Sequence, residues 1–94
     1  MKPQVVVEKL MSIKPTQLPL GISGAQNTES AVLQDLRRQA VKLDYLCKQS
    51  VVKTDDILAV CKSLIGLVTL LQSIGTLSKE AAMELAVGLE ATYS

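Results

Sequence analysis

Residues 57 to 75 read ILAVCKSLIGLVTLLQSIG, the most apolar run of the chain, with Lys62 inside it. At 100° per residue, its small and polar side chains gather on one side of a helix, where Leu70 is the only large apolar residue among them. A membrane-spanning helix is apolar all round, and a central lysine costs about 2.5–3.5 kcal/mol on insertion scales. The stretch therefore predicts an amphipathic helix inside a folded domain, and we expect no membrane span.

The residues around this run predict where its helix begins and ends. Thr54 is a suitable N-cap, and Asp55 and Asp56 follow it at the positive end of the helix dipole. Gly75 suits a left-handed C-terminal turn. We predict a helix over about 55–74.

A second long helix is predicted over about 28–49, opened by Asn27 or Thr28 as N-cap, with Glu29 at its positive end. The apolar stripes of the two helices mirror each other about residues 51–52, as an antiparallel hairpin with coiled-coil-like packing requires. The facing pairs are Cys47 with Ile57, Leu43 with Cys61, Ala40 with Leu64, Leu36 with Val68, and Leu33 with Leu71.

Two shorter segments complete the predicted all-α fold. Ser78 caps a C-terminal helix over about 79–92. Residues 1–13 are predicted to form a short helix in which Val7, Leu10 and Met11 share a face, with a strand as the alternative because three valines are consecutive. Prolines and glycines make 14–27 non-helical. The expected organisation is an N-terminal arm over 1–27 and a helical bundle domain over 28–94.

The predicted partner contacts lie on the arm and on the 55–74 helix. An extended chain would place Leu18, Leu20 and Ile22 on one side, either in a groove of their own domain or in a partner's groove. The apolar arc of the 55–74 helix is wider than one neighbouring helix covers, so its flanks contact either the rest of the chain or another protein. The expected contact residues are Leu18, Leu20, Ile22, Leu58, Val60, Ile65, Leu67 and Ile74.

The composition argues against catalysis and against metal or cofactor binding. The 94 residues contain no histidine, which removes the commonest general base and metal ligand. Two cysteines cannot hold a structural zinc ion unaided, and their seam positions indicate inert thiols rather than a redox pair. We therefore expect no catalytic residue, no metal and no cofactor.

One basic cluster, Arg37, Arg38 and Lys42, offers possible phosphate contacts. The net charge is only +1 and Asp35 shares the face, so a solvated helix surface is the simpler interpretation. Only 2% of the residues are aromatic, which leaves little for stacking bases. We do not expect nucleic acid to be the main partner.

The sequence thus predicts a non-enzymatic protein–protein interaction module. We expect a small structural or assembly subunit of an oligomeric or viral-type complex, in an intracellular, reducing compartment. The first alternative is a small regulatory or inhibitory protein that binds an enzyme or a transcription factor. The second is a nucleic-acid-associated helical bundle.

Overall fold

The structure, a computed structural model, describes residues 3–15, 23–49 and 54–93, with side chains for 4–15, 28–49 and 54–92. These residues form four helices and no strand: α1 (Pro3–Met11), α2 (Ser23–Cys47), α3 (Thr54–Ser73) and α4 (Lys79–Tyr93). The predicted all-α fold, with its helical hairpin, shorter C-terminal helix and short N-terminal helix, is confirmed.

The helices pack in chain order around one core. Both α2 and α4 contact α1 and α3, whereas within the described residues α1 does not contact α3 and α2 does not contact α4. The four helices therefore occupy the corners of a bundle in which α2 and α4 are diagonally opposite. Their outward faces point to opposite sides of the molecule.

The predicted hairpin seam forms the centre of this core. Nine of the ten predicted seam residues are buried, and Cys47 is half-buried. At the far end of the hairpin, the Thr76 hydroxyl donates a hydrogen bond to the carboxylate of Glu29. Glu29 lies near the start of α2 and Thr76 follows the end of α3, so the two helices run antiparallel, as the mirrored stripes require.

The start of α2 differs from the prediction. The helix begins at Ser23 rather than at Asn27 or Thr28, so residues 23–27 are helical despite Gly24. Once a helix is nucleated, each added residue gains a backbone hydrogen bond, and one glycine costs only about 1 kcal/mol. Glu29 consequently lies beyond the first turn of α2, and it is buried at this end of the bundle.

The N-terminal helix is confirmed, and of the face predicted for it Leu10 is buried and Val7 packs half-buried against the core, but Met11 is not part of that face. Val6 and Leu10 are fully buried, together with Ile13 just beyond the helix, whereas Met11 is 43% exposed. These three buried residues belong to the same hydrophobic core as the hairpin. Val6, Leu10 and Ile13 therefore pack into the bundle core, and the boundary between an arm over 1–27 and a bundle domain over 28–94 stays a prediction.

Both ends of the turn between α3 and α4 are capped as predicted. Gly75 adopts a left-handed φ of 90°, and the Thr76 N–H donates to the Leu71 carbonyl over 2.9 Å while the Gly75 N–H donates to the Gln72 carbonyl over 3.2 Å. This pair of bonds is a Schellman motif. On the other side, the Ser78 hydroxyl accepts the N–H of Ala81 over 3.2 Å, which fixes the start of α4.

A matched pair of alanine substitutions tests this turn. Gly75→Ala is expected to lower the free energy of unfolding by about 1–2 kcal/mol, because a Cβ disfavours left-handed backbone. Gly66→Ala, inside α3 with no atom within 4 Å of an added Cβ, is expected to raise it by about 0.5–1 kcal/mol. Urea denaturation measures both values, and changes of the same sign would contradict the assigned turn.

Candidate interaction surface

The flanks of α3, predicted to contact a partner, are largely covered by the chain itself. Val60 is only 4% exposed and lies in the core, so it offers no surface to another protein. Ile65, Leu67 and Ile74 are half-buried against the core, and Leu58 is also half-buried. These four remain predicted contact residues with part of their surface accessible. Leu18, Leu20 and Ile22 lie outside the described residues.

Among the side chains that the structure describes, the most exposed large apolar ones lie instead on α2 and α4. Val41 and Tyr45 are 57% and 64% exposed on α2, and Met83 and Val87 are 57% and 63% exposed on α4. Within each pair the residues are four apart, so both side chains lie on one helix face. Because both helices bury their opposite faces in the core, these pairs point outward from the bundle.

Charged residues surround each exposed pair. We define the α2 face as Arg38, Val41, Lys42, Tyr45 and Lys48, and the α4 face as Glu80, Met83, Glu84, Val87 and Glu90. All ten side chains are exposed. The first face is basic and the second acidic, and the two lie on opposite sides of the bundle.

Ion pairs within the chain already involve part of these charges. Arg38 pairs with Asp35 within α2, and Lys48, one residue past the end of α2, pairs with Asp44 over 3.0 Å. Across helices, Lys9 pairs with Glu84. Surface pairs of this kind contribute about 0–1 kcal/mol, so they orient side chains without holding them firmly.

The predicted phosphate cluster is exposed but partly engaged. Arg37 donates from Nη2 to the Ile13 carbonyl over 3.4 Å, Arg38 pairs with Asp35, and Lys42 is exposed. A depression of about 360 Å³ beside this cluster is lined by Ala31, Gln34, Asp35 and Arg38, which mix both charges. Mixed charge gives phosphate little attraction, so phosphate contact by this cluster stays a prediction.

Both cysteines are free thiols with raised pKa values. Burial, followed by the nearby Cys47, raises the pKa of Cys61 to about 11. Burial, followed by the Asp44 carboxylate, also raises the pKa of Cys47. Because the thiolate is the nucleophile, two thiols that stay protonated at neutral pH are poorly suited to covalent or redox chemistry.

The described residues contain no group of three or more histidine, cysteine, aspartate or glutamate side chains that could hold a metal ion. None of the described helices combines the length and apolar character that a membrane span needs. Comparison of the chain with protein family models, with curated proteins and with solved structures gave no significant match.

The exposed pairs on α2 and α4 were not predicted from the sequence, because the apolar stripes that face the core dominate the pattern of both helices. The available signal was a pair of large apolar residues four apart on the side of the helix opposite the stripe, namely Val41 with Tyr45 and Met83 with Val87. Such a pair lies outside the core, so packing within the bundle does not account for its apolar character.

Proposed function

We propose that this chain is a non-enzymatic protein–protein interaction module that acts as a small structural or assembly subunit of an oligomeric complex. The observation that carries the proposal is the pair of outward faces, each with two large apolar side chains more than half exposed. Clustered exposed apolar side chains with a charged rim are typical of protein interaction sites. Burying them against a partner supplies the driving force at about 25 cal/mol per Å².

Two features support a function without catalysis. The chain has no histidine, and its two thiols have raised pKa values that keep them protonated. The acidic residues of α4 lie on a convex helix surface, where water has free access to a reacting group.

Free thiols in and beside the core also favour a reducing, intracellular compartment.

The arrangement of the two faces favours an assembly subunit over a regulator that binds one target. A single small target can cover one outward face, but the diagonal placement of α2 and α4 leaves the second face uncovered. An assembly in which each subunit has neighbours on both sides covers the two faces together.

Sedimentation velocity of the full chain over a wide concentration range tests the proposal. We expect the mean mass to rise with concentration above the 10.1 kDa of one chain. A monomer at every concentration and at low salt would contradict the assembly subunit and favour the regulatory alternative. Nucleic acid retained through purification at moderate salt would instead favour the second alternative.

A further inference from the structure

We propose that the basic α2 face binds the acidic α4 face of a second copy of this chain, so that copies join head to tail. The inference rests on the proposed function and names the partner and both contact surfaces. Its support comes from the spacing, the charge and the placement of the two faces.

The two faces carry the same spacing of charged and apolar residues. On α2 the order is Arg38, Val41, Lys42, Tyr45, Lys48, and on α4 it is Glu80, Met83, Glu84, Val87, Glu90. In both, the successive steps along the chain are three, one, three and three residues. Because an α-helix places equal steps at equal rotations and rises, the two surfaces share the pattern over their first four residues, and Lys48 continues it one residue past the end of α2.

The charge is opposite at each corresponding position of this pattern. Every basic residue of the α2 face has a glutamate at the same place on the α4 face, and each apolar residue has an apolar counterpart. A pattern of ten residue steps covers about 15 Å of helix, so packing the two apolar pairs against each other brings the basic rim of one copy close to the acidic rim of the other, without pairing each position with its counterpart. Opposite potentials on two such faces favour this pairing and disfavour others.

The geometry of the bundle decides what kind of assembly results. Pairing of two α2 faces, or of two α4 faces, would oppose like charges, so a closed two-fold dimer through one face is disfavoured. Contact between the α2 face and the α4 face is heterologous and uses surfaces on opposite sides of each copy. Repeating it adds subunits in one direction and produces an open chain, or a ring if the rotation closes.

Neighbouring charges weaken the attraction between the two faces but do not turn it into repulsion. Asp35 and Asp44 lie beside the α2 face as partners of Arg38 and Lys48, Lys79 lies beside the α4 face, and Lys9 pairs with Glu84. Stable interfaces of standard size bury about 800 Å² per partner, and four large apolar side chains form only the centre of such an area. We therefore expect weak association that rises with concentration and falls with added salt.

Charge reversal on one face at a time tests the inference. The first variant combines Arg38→Glu with Lys42→Glu, which makes both faces acidic. The second combines Glu80→Lys with Glu90→Lys, which makes both faces basic. A lysine is unfavourable near the start of α4 and favourable near its end, so the effects of the two substitutions on helix stability offset each other. Each variant alone is expected to associate more than about tenfold more weakly than the wild-type chain.

Mixing the two variants supplies the decisive measurement. Both faces of the first variant are acidic and both faces of the second are basic, so either face of one variant attracts the matching face of the other. The mixture is therefore expected to show a higher mean mass in sedimentation velocity than either variant alone. Far-UV circular dichroism verifies that each variant is folded, and Lys62→Glu, an exposed reversal on α3 outside both faces, serves as the control. That control is expected to associate like the wild-type chain.

Three results would overturn the inference. If the wild-type chain associates and either reversal leaves its association unchanged, the chosen faces are wrong while the proposed assembly function stands. If both folded variants lose association and their mixture stays monomeric, the contact is not between α2 and α4. If the wild-type chain is monomeric at every concentration, the inference and the assembly function both fail.

Discussion

Leu64→Asp is expected to prevent the bundle from folding. Leu64 is fully buried in the middle of α3, on the seam with α2. The substitution removes a large apolar side chain, which costs about 2–5 kcal/mol on its own, and adds a carboxylate that the core leaves unpaired. Because small domains have only about 5–15 kcal/mol of stability, the sum exceeds what a chain of this size can lose. Far-UV circular dichroism at neutral pH and a thermal melt measure the result.

The matched control is Lys62→Glu, two residues away on the same helix. Lys62 is exposed on the polar side of α3, so reversing its charge is expected to change the free energy of unfolding by less than about 0.5 kcal/mol. Equal damage from the two substitutions would mean that the core-facing side of α3 is misassigned. A cooperative melt for Leu64→Asp near the wild-type temperature would contradict the buried seam.

The hairpin could be predicted from sequence because several local signals agree there. Alternating steps of three and four residues define an apolar stripe on each helix, and the mirror relation of the two stripes about positions 51–52 predicts which residues face each other. Gly75 and Ser78 add chemical stop and start signals whose hydrogen bonds the structure shows. Where the apolar periodicity, the helix length and the capping residues all predict the same arrangement, the sequence alone is enough to predict how the two helices pack.

The start of α2 and the face of α1 could not be predicted in this way. Gly24 is only a weak helix breaker, so the position where α2 begins is set by the balance of a few backbone hydrogen bonds. In α1, Val6 with Leu10 and Val7 with Met11 are both four residues apart, and a nine-residue helix with three valines is apolar over most of its surface, so both pairs fit a helical period. Its position between α2 and α4 selects the first pair.

The candidate interaction surface depends on the same kind of information. Val60 and Val41 are both valines on amphipathic helices, yet one is 4% exposed and the other 57% exposed. The difference comes from the neighbouring helices, which cover the flanks of α3 and leave the outer side of α2 open. A single sequence shows which side chains are apolar, but the arrangement of the other helices determines which of them face water.

Leu10→Ala and Met11→Ala provide the sharpest test of α1 as part of the core. Leu10 is fully buried where α1 packs against α2 and α4, so its truncation is expected to lower the free energy of unfolding by about 2–5 kcal/mol. Met11 is adjacent in sequence but exposed, and its truncation is expected to cost less than about 0.5 kcal/mol. Urea denaturation followed by circular dichroism measures both values. Small and equal effects would mean that α1 behaves as a detachable arm, since a segment that contributes little to the core can lose either side chain without loss of stability.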